Sequence, residues 1–434
     1  LNPVIPPSIL LHTQMGKHRR NKKTQKSRHD PLSNPNLTTS AAINAVRGSG
    51  KQSKIGPLID KLKSLVLNDK SMAIGVINVL AEDEQMRQEL INNDIVLVLM
   101  QYCLNDANAS EDILIESFGL LRNLIIEEGY DIIQFIWDND IWTIVENNLN
   151  KINISFNYLM NHNNNDDGTS DGKPKKNLSK AKIQSLYEFS ENLFTLIIML
   201  ITSDERIFDF VFNINSNGEN NTGGNKIDPI VQFVLSLIDS HINNKLRLSK
   251  KLFNTLLELL FQLSTESISF VQKLSTSFDW DKLGQFLQSD ANYDSTSKIY
   301  YNGIFFSLVE IVLQPSPQEK KEELMRQVLS DIIKAITVKE GSESKPKEGE
   351  EQETQDLAAF EAGCDIIATI CEYLATDETN PETPARLSPE TLQLLEMVGN
   401  QLVGKIEAMG VSESESSSAE AAINNLQLVI SFNQ

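Results

Sequence analysis

"LRNLIIEE" (121–128) repeats "VINVLAED" (76–83) at an offset of 45 residues, and "DNDIWTIVENNL" (138–149) repeats "NNDIVLVLMQYC" (92–103) at an offset of 46. Each unit reads as a long apolar-periodic helix, a short acidic turn, a second helix and an Asn-Asp break. A helical unit of this period is typical of armadillo or HEAT repeats. Because one helix pair cannot bury its apolar face alone, such units stack on their neighbours. The sequence therefore predicts an all-α fold, a right-handed superhelical α-solenoid.

Weaker copies of this rhythm follow downstream. We expect armadillo-like repeats over residues 55–290 and HEAT-like repeats over residues 291–434. The helical segments are 196–212, 256–274, 279–287, 299–313, 358–375 and 392–409. The last segment, 420–434, resembles the first helix of a further unit, so we expect that C-terminal repeats are missing.

Polar insertions separate the helical units. They are residues 161–177, 213–225, 339–356, 376–389 and 411–420, and their Asn, Gly, Ser, Glu and Pro content favours loops. The insertion at 339–356 is acidic, and it is either a spacer or an arm for a basic ligand. Its candidate binding residues are Glu343, Glu348, Glu350, Glu351 and Glu353.

Charge divides the chain unevenly. The formal net charge is −20, yet residues 1–54 hold ten Lys/Arg and one acid, which leaves −29 for the remainder. Such a body repels nucleic acid and suits a basic protein partner, although acidity can also serve solubility alone.

The basic segment at 16–35 has three readings. It can be a nucleic-acid tail, a solubilising tail or a nuclear import signal. A basic cluster followed by Pro-Leu fits the looser form of the PY-type signal, in which an acidic receptor groove reads the charge and an apolar pocket reads the anchor. The candidate karyopherin-binding residues are Arg19, Arg20, Lys22, Lys23, Arg28, Pro31 and Leu32.

The sequence gives little support for a catalytic function. The three cysteines have no CxxC spacing, which argues against a zinc site or a disulfide framework. Four of the five histidines lie in segments predicted to be disordered, so no constellation of catalytic groups can be placed on a rigid element. No apolar run reaches about 18 residues, the length of a membrane helix. We expect a non-enzymatic monomer without a cofactor, a membrane or a direct nucleic-acid contact.

Asn78 and Asn123 occupy matching positions in the first two units. Asn is a weak helix former, and its amide both donates and accepts hydrogen bonds. We expect both side chains to face an inner groove and to bind the backbone of an extended peptide. The alternative is a solvated Asn, or one bonded to its own loop. The equivalent positions downstream are Ile198 and Glu258, so this pattern fades after two units.

The order of "MGKHRRNKK…RHDPL" (15–32), armadillo-like units and HEAT-like units with an acidic loop resembles the symportins. Those fungal adaptors bring the two ribosomal proteins bound to 5S rRNA into the nucleus together. The resemblance implies that a transportin-type karyopherin binds the N-terminal signal. It also implies that the solenoid groove holds one ribosomal protein and that the acidic loop covers the RNA-binding face of the other. Leu32 departs from the commoner Tyr, and Lys345 and Lys347 dilute the acidic loop.

The expected function is that of a nuclear import adaptor and chaperone of basic ribosomal proteins, shuttling between cytoplasm and nucleus. Two alternatives remain. A generic armadillo scaffold would bind no ribosomal protein. An RNA-binding repeat protein would need basic residues along its inner face, which the net charge of −29 outside residues 1–54 opposes.

Overall fold

The computed structural model describes the greater part of the chain. The described residues are 55–163, 179–213, 225–289, 295–312, 318–337, 349–376, 385–409 and 417–433. The predicted import signal at 15–35 lies outside them.

Helices account for most of the described residues, and the all-α prediction is confirmed. They are α1 Ile55–Leu62, α2 Leu67–Leu80, α3 Glu84–Asn92, α4 Ile95–Leu99, α5 Glu111–Glu128, α6 Tyr130–Asp138, α7 Ile141–Asn163, α8 Lys180–Ile201, α9 Glu205–Phe212, α10 Ile227–Ile242, α11 Lys250–Glu266, α12 Ile268–Ser277, α13 Trp280–Ser289, α14 Ser295–Val312, α15 Gln318–Thr337, α16 Gly349–Ala375, α17 Pro389–Met409 and α18 Ser417–Asn433.

The helices recur as triplets of a long helix, a short helix and a third helix. The triplets are α2–α4, α5–α7, α8–α10 and α11–α13. In the first triplet, α4 continues into a π-helix, Met100–Leu104. The buried Lys70 donates a hydrogen bond of 2.5 Å to the carbonyl of Tyr102 in that π-helix. The backbone hydrogen bonds of a π-helix follow a different pattern from those of an α-helix, and Lys70 supplies a donor for one carbonyl in this segment.

The Asn-Asp break between the second and third helices has the same geometry in successive triplets. Asp94 and Asp140 both adopt the left-handed conformation, with φ of 57° and 60°. The preceding Asn93 and Asn139 each donate a side-chain hydrogen bond of 2.8 Å to the carbonyl four residues earlier. These bonds close the C-terminus of the short helix, and Asn and Asp tolerate the left-handed turn that redirects the chain. The break predicted from the repeat is confirmed.

A glycine makes the tight turn after the long helix of the second triplet. Gly129 has φ of 77° and ψ of −140°, a conformation that a side chain disfavours. At the other end of that helix, the hydroxyl of Ser110 accepts a hydrogen bond from the backbone N–H of Ile113. The acids Glu111 and Asp112 follow in the first turn, where the helix dipole favours negative charge.

Contacts divide the chain into two compact units. Among the described residues, one unit comprises the chain from Ile55 to Leu259 and the other the chain from Leu260 onward, so the division falls within α11. In the first unit the long helices α2, α5 and α8 pack side by side in chain order. In the second, α16 packs against α14, α15 and α18. This division does not test whether the repeats change from armadillo-like to HEAT-like after residue 290, so that change stays a prediction.

Several predicted loops are shorter than expected, among them the one at 411–420, because α18 begins at Ser417. The loop assignment of 339–356 is wrong for its last eight residues, because α16 begins at Gly349. The Glu and Gln residues there are good helix formers, and they extend an apolar helix rather than interrupt it. Likewise, α7 continues to Asn163, into the insertion predicted from residue 161. Within the described ranges, no helix combines the length and the apolar character needed to cross a membrane.

Candidate functional site

A row of polar residues crosses the long helices α2, α5 and α8. We call it the polar stripe. Its members are Asn78 on α2, Asp112, Glu116 and Asn123 on α5, and Glu188 and Asn192 on α8. On α5 the spacing is four and then seven residues, which keeps these side chains on one side of the helix. Most of the stripe is half-buried, while Asn192 is buried and Asp112 exposed.

Asn78 and Glu116 join α2 to α5. The side-chain amide of Asn78 donates a hydrogen bond to a carboxylate oxygen of Glu116. The other polar atom of Asn78, Oδ1, is buried and accepts no hydrogen bond from the described residues. A buried acceptor without a donor is energetically unfavourable, so this atom is suited to a donor that a ligand brings.

Glu116 is surrounded by groups that disfavour its charge. Burial raises the pKa of its carboxyl group, and the hydrogen bond from Asn78 only partly opposes this shift. The carboxylates of Glu188 and Asp112 raise the pKa of Glu116 further. A positive or hydrogen-bond-donating ligand would relieve this strain, because it favours the ionised form.

A second network joins α5 to α8. The buried guanidinium of Arg122 donates to Asn192 Oδ1 at 2.8 Å and to Asn123 Oδ1 at 3.4 Å. Asn192 in turn donates to the carbonyl of Ile115 at 3.2 Å. Asn123 therefore bonds to its neighbour Arg122, and Asn192 is the residue that bridges the two helices.

The stripe is rich in acceptors. Half-buried carboxylates stand along it at Glu116 and Glu188, and Arg122 is a basic residue beside them. On the next long helix, α11, Glu258 is also buried. Carboxylate and amide oxygens accept hydrogen bonds from peptide N–H groups and form charge-assisted bonds with Lys and Arg. The arrangement is suited to an extended or helical segment that carries positive charge.

We looked for metal clusters and reactive thiols in the described part of the chain. No group of three His, Cys, Asp or Glu side chains there stands within metal-binding reach. Cys103, Cys364 and Cys371 are buried and form no disulfide. Burial raises the pKa of all three thiols, which disfavours the thiolate that a nucleophile or a metal ligand requires.

Comparison with known proteins identifies a relative. The chain is 29% identical over 411 residues to Synchronized import protein 1 of Saccharomyces cerevisiae, an alignment that covers 87% of this chain. The chain is a distant homologue of that symportin. It spans 61% of the length of the yeast protein. The crystal structure of an engineered protein has 12% identity and a TM-score of 0.33, covering 87% of this chain and 99% of the engineered one. No family model matches the chain.

The resemblance to the symportins predicted from the sequence is thereby confirmed. Of the predicted groove residues, Asn78 and Asn123 lie on the adjacent helices α2 and α5. The structure does not place them opposite each other, because Asn78 meets Glu116, two turns before Asn123. The use of Asn78 and Asn123 for cargo stays a prediction.

The other predicted sites lie mostly outside the described residues. These are the import-signal residues Arg19 to Leu32, together with Glu343 and Glu348 of the acidic segment. Glu350, Glu351 and Glu353 fall within the first turns of α16.

Sequence reasoning missed Glu116 and Asn192. For Glu116 a signal was available, since it precedes Asn123 by seven residues and therefore shares its side of α5. Asn192 follows no repeat position, and only the packing of α8 on α5 brings it to Arg122.

Proposed function

We propose that the chain is a nuclear import adaptor that binds a basic protein along the polar stripe and protects it during transport. The observation that carries this proposal is the similarity to Synchronized import protein 1 across 87% of the chain. More specifically, the proposed cargo is the set of ribosomal proteins that accompany 5S rRNA. The carrier would be a transportin-type karyopherin bound to the N-terminal signal.

The polar stripe supplies a physical basis for cargo binding. Glu116 and Glu188 are like charges that destabilise each other until a cation stands between them. The unpartnered Asn78 Oδ1 adds an acceptor for a backbone or side-chain N–H. A cargo segment with Lys or Arg would satisfy both groups, whereas an acidic or apolar segment would leave them uncompensated.

The acidic segment 339–356 is proposed to shield a second basic surface. A run of carboxylates can occupy the phosphate-binding groups of an RNA-binding protein and so prevent unspecific contact with RNA. Shielding of this kind weakens with salt, because it acts largely between exposed charges.

The test is affinity purification of the full chain, followed by quantitative mass spectrometry of the bound proteins. The expected result is enrichment of the 5S-associated ribosomal proteins together with a transportin-type karyopherin. Recovery of neither would refute the proposal and favour a generic armadillo scaffold. Recovery of RNA with steeply salt-dependent affinity, after the basic N-terminal segment has been removed, would favour the RNA-binding alternative.

A double substitution separates binding of the ribosomal proteins from binding of the karyopherin. Changing Pro31 and Leu32 to alanine removes the proposed anchor of the import signal but leaves the stripe intact. We expect that variant to retain ribosomal protein and to lose the karyopherin. Loss of both partners together would contradict the assignment of separate sites.

A further inference from the structure

Three aromatic rings form a cluster on helices that do not carry the polar stripe. They are Trp137 on α6, Trp142 on α7 and Phe210 on α9. The ring of Phe210 stands at 5.2 Å from that of Trp137 and at 6.4 Å from that of Trp142, edge-to-face in both pairs. Trp142 is buried, whereas 44% of Phe210 is exposed. The cluster is therefore anchored in the core and open at Phe210.

A cation already occupies this cluster. The ammonium of Lys226, which directly precedes α10, lies 4.1 Å from the centroid of the Phe210 ring. It is also 3.5 Å from Glu146 Oε1, the same atom that accepts a hydrogen bond of 2.6 Å from Trp142 Nε1. An aromatic face beside an oriented carboxylate binds cations by two additive electrostatic effects. The chain itself thus shows that the site holds a positive side chain.

Lys226 is weakly held there. Its side chain is 39% exposed and that of Glu146 is 49% exposed. Water competes for an ion pair with this exposure, and an ammonium at a wet ring face is readily exchanged. A guanidinium would bind more firmly, because its plane stacks on the ring while its N–H groups reach the carboxylate in pairs.

The surroundings carry the opposite charge to such a ligand. Residues 130–146 and 204–212 together contain seven acids and one basic residue, Arg206. That guanidinium is engaged, since it donates to Asp204 at 2.7 Å and to Tyr130 at 3.1 Å. Charge complementarity therefore favours a basic partner and opposes nucleic acid.

We propose that Trp137, Phe210 and Glu146 form a cradle for an arginine side chain of a basic, extended protein segment, and that this arginine displaces Lys226. The cradle lies on α6, α7 and α9, whereas the polar stripe lies on α2, α5 and α8. Binding at the cradle can therefore be tested separately from binding at the polar stripe.

The test is fluorescence anisotropy of a short, fluorescein-labelled Arg-Gly-Ser repeat peptide titrated with the full chain at low salt. Lys226→Met removes the internal competitor, and the matched control Lys245→Met removes an exposed lysine of the same unit. We expect Lys226→Met to bind the peptide roughly two- to fivefold more tightly than Lys245→Met, as expected for one exposed cation–aromatic contact. Equal affinities of the two variants would overturn the proposal.

Two further measurements test the ring and the charge. Phe210→Leu should weaken binding severalfold, whereas Phe135→Leu, at an exposed ring on α6, should leave it unchanged. A peptide with citrulline in place of arginine should not distinguish Lys226→Met from Lys245→Met. A citrulline peptide that gains as much from Lys226→Met would show that no cation is involved. If Phe210→Leu melts early by circular dichroism, the two lysine variants decide the question, because they leave the core unchanged.

Discussion

Glu116→Gln should stabilise the fold while weakening the binding of a basic partner. The introduced amide keeps an oxygen for the hydrogen bond from Asn78 and brings an N–H donor for the buried Asn78 Oδ1. It also removes the repulsion with Asp112 and Glu188. Satisfying a buried acceptor contributes about 1 kcal/mol or more, and relieving a like-charge pair one turn apart contributes about 0.2–0.5 kcal/mol.

We therefore expect the free energy of unfolding to rise by about 1–2 kcal/mol at pH 7. The assay is urea unfolding followed by tryptophan fluorescence. Trp137 and Trp142 report on the unit that contains Glu116, and Trp280 reports on the other unit. Glu84→Gln, at an exposed position on α3, is the matched control.

The gain in stability should depend on pH in one direction. The pKa of Glu116 is raised in the folded state, so its contribution to stability is present at low pH and is lost as pH rises through the folded pKa. The difference between Glu116→Gln and the wild type should consequently shrink as the solution is acidified, because the wild-type carboxyl becomes neutral as well. The exposed control should show no such trend.

Binding should move in the opposite direction to stability. Loss of one charge-assisted hydrogen bond weakens a complex by about 1.5–3 kcal/mol, roughly tenfold or more in the dissociation constant. Calorimetric titration with a 5S-associated ribosomal protein measures this. If Glu116→Gln destabilises the fold at pH 7, the assignment of strain to this carboxylate is wrong. If it binds cargo as tightly as the wild type, the polar stripe is not the cargo site.

Three other changes have defined outcomes. Changing Pro31 and Leu32 to alanine in the fluorescently tagged full chain should abolish its nuclear accumulation in cells; unchanged accumulation would exclude the anchor. Replacing the five candidate glutamates of the acidic segment 339–356 by glutamine should cause one of the two ribosomal proteins to be lost from co-purification. Equal recovery of both would reject the role of the segment. Gly129→Ala should lower the free energy of unfolding by roughly 1 kcal/mol or more because φ is 77° there, and a neutral effect in urea unfolding would contradict the strained turn.

The repeat was predictable because it rests on local chemistry. The Asn-Asp pairs at 93–94 and 139–140 end a short helix by side-chain hydrogen bonds and a left-handed turn, and both devices are set by nearby residues. The long helices were predictable for the same reason, because the spacing of their apolar residues is a local pattern. The start of α16 at Gly349 was missed because a charged helix end has the same composition as a polar loop.

The candidate site was less predictable because it depends on neighbours distant in sequence. Asn78 was identified from its place in the repeat, but its partner Glu116 becomes visible only when α2 packs on α5. Arg122 donates a hydrogen bond to Asn192, 70 residues away in sequence, and no local sequence pattern indicates that bond. A repeat therefore predicts which helix carries a polar side chain, and packing decides what that side chain meets.

The two proposed sites share one property, a negative charge that nearby side chains compensate only in part. Burial and nearby carboxylates raise the pKa of Glu116, and Lys226 is only loosely held at the aromatic cradle. A cation supplied by a partner relieves the first arrangement and replaces the second. Each contact is weak when taken singly, so tight binding of a basic partner would require several of them at once. Because these contacts compete with salt and water, a polyanion such as RNA can remove the partner by offering phosphates to the same basic groups. Under the proposed function, multivalent electrostatic binding of this kind would hold a basic protein in the absence of RNA and release it where RNA is abundant.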